Sequence, residues 1–235
     1  MEKENFAEMQ KNTVSSKDQL KESNIIKFHH KEGEGVRILF VGNSITLHGV
    51  KRNIGWHNEW GMAASAEDKD YVHVIEKEVL SSHPQAAFCI CQAATWERGY
   101  IDNADEILES FEQARSFQAD VIIIRLIENC KVGVYNGEKF KQELSRLISY
   151  LDPSEKAQKI VTTGFWKHPG DADIIDFCKE NGYPCVELGD LGQDERMKAI
   201  GLFEHSGVAN HPGDEGMKAI AERILDVLRE YITEF

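Results

Sequence analysis

The segment "RILFVGNSITLHG" (Arg37–Gly49) determines how the rest of the chain is interpreted. Its first half is an unbroken apolar run, and Gly-Asn-Ser follows at once. A continuous apolar run of this length is typical of a strand that is covered on both faces, as in a parallel sheet. A serine at the carboxyl end of such a strand is either the N-cap of the next turn or helix or a nucleophile. The rest of the chain has to distinguish these two roles for Ser44.

Four more short apolar runs follow, and segments with helical spacing separate them. The predicted strands are residues 36–42, 86–93, 120–126, 159–165 and 184–188. The predicted helices are residues 71–81, 104–117, 137–151, 171–181 and 214–232. This alternation predicts a five-stranded parallel sheet in a three-layer α/β/α sandwich, because crossovers between parallel strands are right-handed. Ligands of such sheets bind at the carboxyl ends of the strands, where Ser44 lies.

The domain organisation is simple. Residues 1–35 are polar and charged and are interpreted as an N-terminal extension, and residues 36–235 as a single domain. Two connections, residues 44–69 and 201–216, are longer than packing requires. Loops of this length inside a compact domain are usually functional.

Composition limits the partners. The 235 residues carry a formal net charge of -13, which disfavours nucleic acid and anionic membrane surfaces and is compatible with a neutral small-molecule or carbohydrate substrate. The amino terminus lacks a signal-peptide core and no apolar run could cross a bilayer, so the sequence predicts a cytoplasmic protein. The five cysteines have no CxxC spacing and are expected to be reduced packing residues. The oligomeric state stays open, a homo-oligomer included.

A second reactive side chain, His211, stands in "NHPGDEG" directly before the last predicted helix. A histidine beside a proline is by itself an ordinary turn residue. Its loop, however, returns to the sheet edge at which Ser44 is expected. A strand-end serine and a histidine at the same edge are the components of an activated hydroxyl nucleophile.

Three segments resemble the blocks of the SGNH, or GDSL-like, hydrolases. "GNSIT" (Gly42–Thr46) is similar to the first block, "DVIIIRLIENC" (Asp120–Cys130) occupies the place of the third, and "HPGDEGMKAIAERI" (His211–Ile224) is similar to the last. The resemblance implies a flavodoxin-like fold and ester hydrolysis through an acyl-enzyme. It also implies that Ser44 is the nucleophile, that His211 is the base, and that Asn129 joins the Ser44 amide in the oxyanion hole.

The sequence departs from the family pattern in three places. In the third block the family's glycine falls on Ile127 and its last acid on Cys130, so only Asn129 carries over. The second block corresponds to "CQAATWERG", which has no glycine at the strand end, so the second oxyanion amide is expected from Ala94 or a neighbour. The acid that the family places three residues before the histidine is replaced by Val208. Glu204 or a backbone carbonyl is then expected to orient His211. Asp214 is interpreted as the N-cap of the last helix.

Four further side chains are candidates for the substrate pocket. Trp56 and Trp60 either stack on a substrate or clamp their own loop, and Trp166 is a candidate pocket wall. Arg125 either binds a substrate anion or pairs with Glu97 or Glu128. The other histidines lack the spacing of metal ligands and glycine-rich phosphate loops are absent, so neither a metal nor another cofactor is expected.

These observations together predict a serine hydrolase that cleaves an ester. The favoured substrate is an O-acetyl or other short O-acyl group on a carbohydrate, which the family resemblance implies and which the tryptophan-rich, polar loop after Ser44 suits. Two alternatives remain open at this stage. One is a lipase or lysophospholipase, and the other is a non-catalytic binding protein that retains the fold.

Overall fold

A computed structural model describes residues 20–233 and shows an α/β fold built on one sheet. The sheet has six strands, in the order β1-β3-β2-β4-β5-β6. The strands are β1 (Ile26–His29), β2 (Arg37–Gly42), β3 (Ala87–Gln92), β4 (Val121–Arg125), β5 (Gln158–Thr162) and β6 (Cys185–Val186). All neighbours pair in parallel except β1, which runs antiparallel to β3.

Eight α-helices connect and cover the strands in residues 20–233. They are α1 (Tyr71–Ser82), α2 (Ala94–Gly99), α3 (Ala104–Glu109), α4 (Glu112–Ser116), α5 (Gly137–Leu151), α6 (Asp171–Asn181), α7 (Ser206–Ala209) and α8 (Asp214–Ile232). The expected helix over residues 104–117 is in fact two short ones. The Ser110 hydroxyl bonds to the Ile107 carbonyl, and the Phe111 amide bonds to Leu108 in a tightened turn, which interrupts the α-helical hydrogen bonds.

The sheet separates two apolar layers. On β2, Leu39 and Val41 face the layer that contains α5 and α6, whereas Ile38 and Phe40 face the layer that contains α1 and α8. Successive side chains of a strand point to opposite faces, so a continuous apolar run supplies both layers at once. This arrangement confirms the predicted α/β/α sandwich and explains why the strand sequences do not alternate.

Strand β1 corrects the expected strand count. Its residues fall in the predicted N-terminal extension, yet Ile26 pairs with Cys91 and His29 with Phe88 at the edge of the sheet. Part of the extension is therefore built into the sheet. Residues 1–19, the remainder of that predicted extension, lie outside the described residues.

The register of the central strands positions the functional residues. Gly42, the last residue of β2, pairs with Gln92 of β3 on one side and with Arg125 of β4 on the other. The three strands therefore end level with one another, and the segments that follow them share one edge of the sheet. In residues 20–233, no helix combines the length and the apolar character needed to cross a membrane. The five cysteines are free thiols, four of them buried.

Candidate active site

Ser44 lies in a tight turn directly after β2. The Thr46 and Leu47 amides both donate to the Asn43 carbonyl, at 2.9 and 3.0 Å, and so turn the chain back on itself. A Cβ at Gly42 would lie 1.9 Å from Thr46 Oγ1, so only glycine fits beneath the turn. The Met62 amide donates to the Ser44 carbonyl at 2.8 Å and ties the turn to the long loop.

His211 is held at the end of the second long loop by backbone hydrogen bonds. Its amide donates to the Val208 carbonyl of α7 at 2.9 Å, and its carbonyl accepts from the Ala199 amide at 2.9 Å. Pro212 follows and forms an isolated bridge with Lys198. The backbone on both sides of the histidine is therefore fixed before α8 begins.

Ser44 and His211 meet, as the sequence predicts. Ser44 Oγ lies 2.9 Å from His211 Nε2, and His211 Nδ1 lies 2.7 Å from the carbonyl oxygen of Gly207. A carbonyl oxygen can only accept, so in the neutral ring the proton resides on Nδ1. The Nε2 lone pair is then directed at the serine hydroxyl, which is the tautomer that a general base requires.

The orienting group is the Gly207 carbonyl, which corrects the expectation for Glu204. The Glu204 side chain is exposed, and the hydrogen bond of His211 Nδ1 goes to the backbone instead. Val208 occupies the position of the family's acid and is completely buried in an apolar cluster with Trp56 and Met62. The Val208 side chain has no polar atom, so Val208 supplies packing and the carbonyl of the adjacent Gly207 supplies the orientation of His211.

The surroundings of His211 weaken its affinity for a proton. The Trp166 ring packs edge-on against the imidazole, with the ring centroids 5.1 Å apart, and its Nε1 donates to the Asn210 carbonyl at 3.2 Å. Burial lowers the pKa of His211 to about 4, because the Gly207 hydrogen bond opposes it only in part. The imidazole is therefore neutral at physiological pH. Trp166 lies beside the reactive pair, where the sequence places a pocket wall.

The two predicted oxyanion amides differ in availability. Within residues 20–233, no acceptor is hydrogen-bonded to the Ser44 amide, so it can bind a ligand oxygen. The Ala94 amide instead donates to Gln92 Oε1 at 3.3 Å. The expectation that Ala94 offers a free donor is therefore wrong for this conformation, since the side chain at the end of β3 already occupies it.

A buried polar network supports the strand ends next to Ser44. Asn43 Nδ2 donates to Glu97 Oε1 at 3.1 Å and to Glu128 Oε2 at 2.7 Å, and Asn43 Oδ1 accepts from Arg125 Nη2 at 2.5 Å. Arg125 also pairs with Glu128, which confirms the predicted ion pair. The Arg125 side chain is fully buried, so its candidacy for the substrate pocket is wrong. The network therefore fixes the Asn43 backbone, from which the Ser44 turn starts.

The two carboxylates of this network have opposite pKa shifts. Burial and the Glu128 charge raise the pKa of Glu97 to about 7. Burial alone would raise that of Glu128 too, but the Arg125 charge outweighs it and the pKa is lowered. The predicted oxyanion residue Asn129 connects to this pair, since its Nδ2 donates to Glu97 Oε2 at 2.6 Å and its Oδ1 accepts from Arg98 Nη2 at 2.8 Å.

These contacts fix the orientation of the Asn129 amide and leave part of its hydrogen-bonding capacity. An amide nitrogen carries two hydrogens. In the described part of the chain, Glu97 is the acceptor for one of them. The second hydrogen can therefore be donated to a ligand. The sequence indicates Glu97 only as a candidate partner of Arg125 and does not show that it orients Asn129. Its position a few residues after β3, near the strand ends that carry the site, is the available signal.

The tryptophan-rich loop packs against itself and against the second long loop, where Phe203 lies 6.0 Å from Trp56 between ring centroids. Trp56 is completely buried, its ring lies edge-on to Trp60 at 6.0 Å, and its Nε1 donates to the His48 carbonyl at 3.1 Å. The stacking expectation is therefore wrong for Trp56, which clamps its loop. Trp60 is half-buried, with its Nε1 bonded to the Ala64 carbonyl at 3.0 Å.

The expected N-cap of the last helix is also displaced by one residue. Gly213 is the N-cap of α8, and Asp214 is the first residue within the helix. The Asp214 carboxylate accepts from the Ser65 amide at 2.8 Å and from the Ser65 hydroxyl at 2.7 Å. Asp214 thus joins the two long loops instead of capping its own helix.

Comparison with known proteins gives structural neighbours only. No family model and no curated sequence matches the chain. A two-domain esterase active on acetylated mannans, crystallised with mannopentaose, superposes with a TM-score of 0.55 at 18% identity over 87% of this chain and 51% of its own. A family two carbohydrate esterase from Cellvibrio japonicus gives 0.55 at 14% identity over 85% and 62% of the two chains.

The superposition with a third structural neighbour covers almost the whole of that neighbour's chain. The carbohydrate esterase family 3 protein from Talaromyces cellulolyticus gives a TM-score of 0.54 at 13% identity over 85% of this chain and 99% of its own. The chain thus spans about half the length of the two-domain esterase but nearly the whole of the shorter protein. Together with the sheet order and the position of Ser44 after β2, these superpositions show that the chain has the α/β/α fold of the SGNH-type esterases.

Proposed function

We propose that the chain is a carboxylic ester hydrolase that uses Ser44 as its nucleophile and His211 as its general base. The observation that carries this proposal is the 2.9 Å contact between Ser44 Oγ and His211 Nε2, with Nδ1 fixed by Gly207. A serine hydroxyl is a weak nucleophile until a neighbouring base can take its proton. The geometry supplies that base in the required tautomer.

The reaction proceeds in two halves. His211 Nε2 takes the Ser44 proton while Oγ forms a bond to the ester carbonyl carbon. The tetrahedral intermediate then expels the alcohol, which receives the same proton from Nε2. Water repeats the sequence on the acyl-enzyme: it loses a proton to Nε2 as it attacks, and Oγ recovers that proton as the carboxylic acid leaves.

The negative charge of the tetrahedral intermediate needs donors on the opposite side from the base. The Ser44 amide and the remaining N–H of Asn129 Nδ2 are the donors that this site offers. Fixed donors of this kind stabilise the transition state because they need no reorganisation during the reaction. Glu97 and Arg98 act here as positioning residues, since they hold the Asn129 amide in place from both of its ends.

The favoured substrate is a short O-acyl group, such as acetate, on a carbohydrate. The two long loops contain Ser44 and His211, and other residues of the same loops line a groove with mixed polar and apolar character, which suits a sugar better than a long acyl chain. Its lining includes Arg52, Asn53, Leu202, Phe203, Glu204 and His205. The neighbours with the same fold include an esterase that acts on acetylated mannans, which supports the same substrate class here.

The test is hydrolysis of 4-nitrophenyl acetate by Ser44→Ala. We expect kcat to fall at least ~10³-fold, because the nucleophile of such a pair contributes most of the chemical step. The melting temperature should change little, since the Ser44 side chain bonds to His211 alone among the described residues. Ser110→Ala, which changes an exposed serine at the C-cap of α3, is the matched control and should retain full activity. A Ser44→Ala variant with activity within tenfold of the parent contradicts the proposal.

The substrate class is tested separately. Acetate release from acetylated manno-oligosaccharides and xylo-oligosaccharides is compared with hydrolysis of 4-nitrophenyl palmitate. The proposal expects a higher kcat/KM for the acetylated sugars, whereas a preference for the long chain identifies a lipase.

A further inference from the structure

Three side chains with metal-ligating atoms meet between the edge strand and the first long helix. They are His29 at the end of β1 and His73 and Glu76 on α1. His29 Nδ1 lies 3.0 Å from both oxygens of the Glu76 carboxylate, and one ligating atom from each residue lies within 4.8 Å of the others. His73 and Glu76 are three positions apart and share one face of the helix.

One ring nitrogen in this cluster has no hydrogen-bond partner among the described residues. His73 Nδ1 lies 2.8 Å from Oδ1 of the fully buried Asp70, so in the neutral ring Nδ1 carries the proton and Nε2 a lone pair. His73 Nε2 is buried and makes no hydrogen bond within residues 20–233. The nearest carboxylate oxygen, Glu67 Oε1, is 3.7 Å away. A buried nitrogen without a partner is costly, and a bound cation would satisfy it.

We propose that His29, His73 and Glu76 bind a divalent transition-metal ion of the Zn²⁺ class. Two imidazole nitrogens and one carboxylate oxygen are a ligand set that zinc accepts, whereas calcium and magnesium prefer oxygen ligands alone. Asp70 supplies the supporting hydrogen bond that metal-bound histidines usually have on the second ring nitrogen. This inference is independent of the proposed esterase mechanism.

The environment of the cluster permits entry of an ion from one side. The His29 side chain is 29% exposed and the Glu67 side chain 61% exposed, whereas the Glu76 side chain is only 7% exposed. Water, or Glu67 after a change of rotamer, can complete the coordination. The ion therefore has a buried side that holds it and an open side through which it arrives.

The position of the cluster indicates a structural role for the ion. His29 belongs to the edge strand and the other two ligands belong to α1, so the ion would join β1 to the body of the fold. The other oxygen of Asp70 accepts from the Gly61 amide at 2.8 Å, and the next residue, Met62, donates to the Ser44 carbonyl. Occupation of the site is therefore expected to raise the melting temperature, since a ligand bound only by the folded state stabilises it.

The test is calorimetric titration of the EDTA-treated full chain with zinc chloride at neutral pH. We expect one site per chain, and at least a tenfold loss of affinity in His73→Gln and in Glu76→Gln. His83→Gln, at the end of the same helix, is the matched control and should bind zinc as the parent does. His211→Gln should also leave the affinity unchanged, which separates this cluster from the Ser44–His211 pair.

A second measurement needs no variant and so does not depend on the folding of one. Cobalt(II) added to the metal-free parent should give visible d–d bands of a low-coordinate nitrogen and oxygen site, and zinc should remove them. The proposal is overturned if the parent binds zinc no more tightly than ~100 μM. It is also overturned if binding survives unchanged in folded His73→Gln and Glu76→Gln, or if it is lost in His211→Gln.

Discussion

His211 and His73 are both half-buried and both donate Nδ1–H to an oxygen, yet the two oxygens differ in charge. His211 is held by the neutral carbonyl of Gly207, and burial lowers its pKa to about 4. His73 is held by the Asp70 carboxylate. Burial alone would lower the pKa of His73 as well, but the hydrogen bond and charge of Asp70 outweigh it and the pKa is raised.

The difference between the two pKa shifts shows how a backbone carbonyl and a carboxylate differ as orienting groups for a histidine. Both oxygens fix the tautomer and the direction of the ring. A carboxylate also stabilises, through its charge, the imidazolium that forms when the base takes its proton, whereas a neutral carbonyl stabilises it less. His211 is therefore a weaker base than in a full triad, but it stays unprotonated to a lower pH. The Ser44 site should accordingly keep working in acid, and three predictions test this consequence.

The pH dependence of kcat/KM for 4-nitrophenyl acetate gives the largest expected effect. Activity requires neutral His211, so it should fall as the pH decreases through about 4. At pH 5 an imidazole with the usual pKa of about 6.5 is only about 3% neutral, whereas one with a pKa of about 4 is about 90% neutral. The two cases differ by about thirtyfold in relative activity. An acidic limb at or above the usual pKa would falsify the role assigned to burial.

Removal of the Trp166 ring gives a smaller effect on the same limb. In Trp166→Ala, water reaches the His211 imidazole, burial lowers its pKa less, and the acidic limb should move toward higher pH. Activity at pH 5 should fall several-fold relative to activity at pH 8. Trp166→Phe retains a ring beside His211 and loses only the hydrogen bond to Asn210, so it is the control and should keep the parent profile. If the acidic limb of the pH profile stays in place in folded Trp166→Ala, a group other than Trp166 lowers the pKa of His211.

Glu204→Gln gives the smallest expected effect. Its side chain is exposed and His211 Nδ1 bonds to Gly207, so kcat and the pH profile should stay within about twofold of the parent values. The comparison is made with the same ester across the full pH range. A large loss of kcat in this variant would show that Glu204 orients the histidine during turnover.

The sequence was sufficient to predict the α/β/α fold and the pair formed by Ser44 and His211. Continuous apolar runs predict strands covered on both faces, and all five predicted strands are present, each shorter than predicted and β6 reduced to two residues. Parallel strands end at one edge, and the segments around Ser44 and His211 resemble the first and last SGNH blocks; topology and resemblance together predicted their contact. Local pattern and topology carry this information together.

The departures come from contacts that no local pattern contains. Strand β1 exists because the edge of β3 accepts it, and its four residues, "IKFH", are too short for a signal of their own. The sequence left Glu204 and a backbone carbonyl open as the orienting group of His211, and no local pattern shows that the carbonyl is that of Gly207. Trp56 and Arg125 looked available to a ligand, but the loop and the carboxylate network enclose them. Burial of polar and aromatic side chains depends on distant partners.

The central claim is that His211 activates the Ser44 hydroxyl, and labelling with a fluorophosphonate probe tests it most directly. Such a probe reacts with a serine only when a base can take its proton. We expect one adduct, on the peptide that contains Ser44, in the parent protein, and none in folded Ser44→Ala or folded His211→Gln. A folded parent that stays unlabelled, or a His211→Gln variant labelled as fast as the parent, would show that His211 does not activate Ser44.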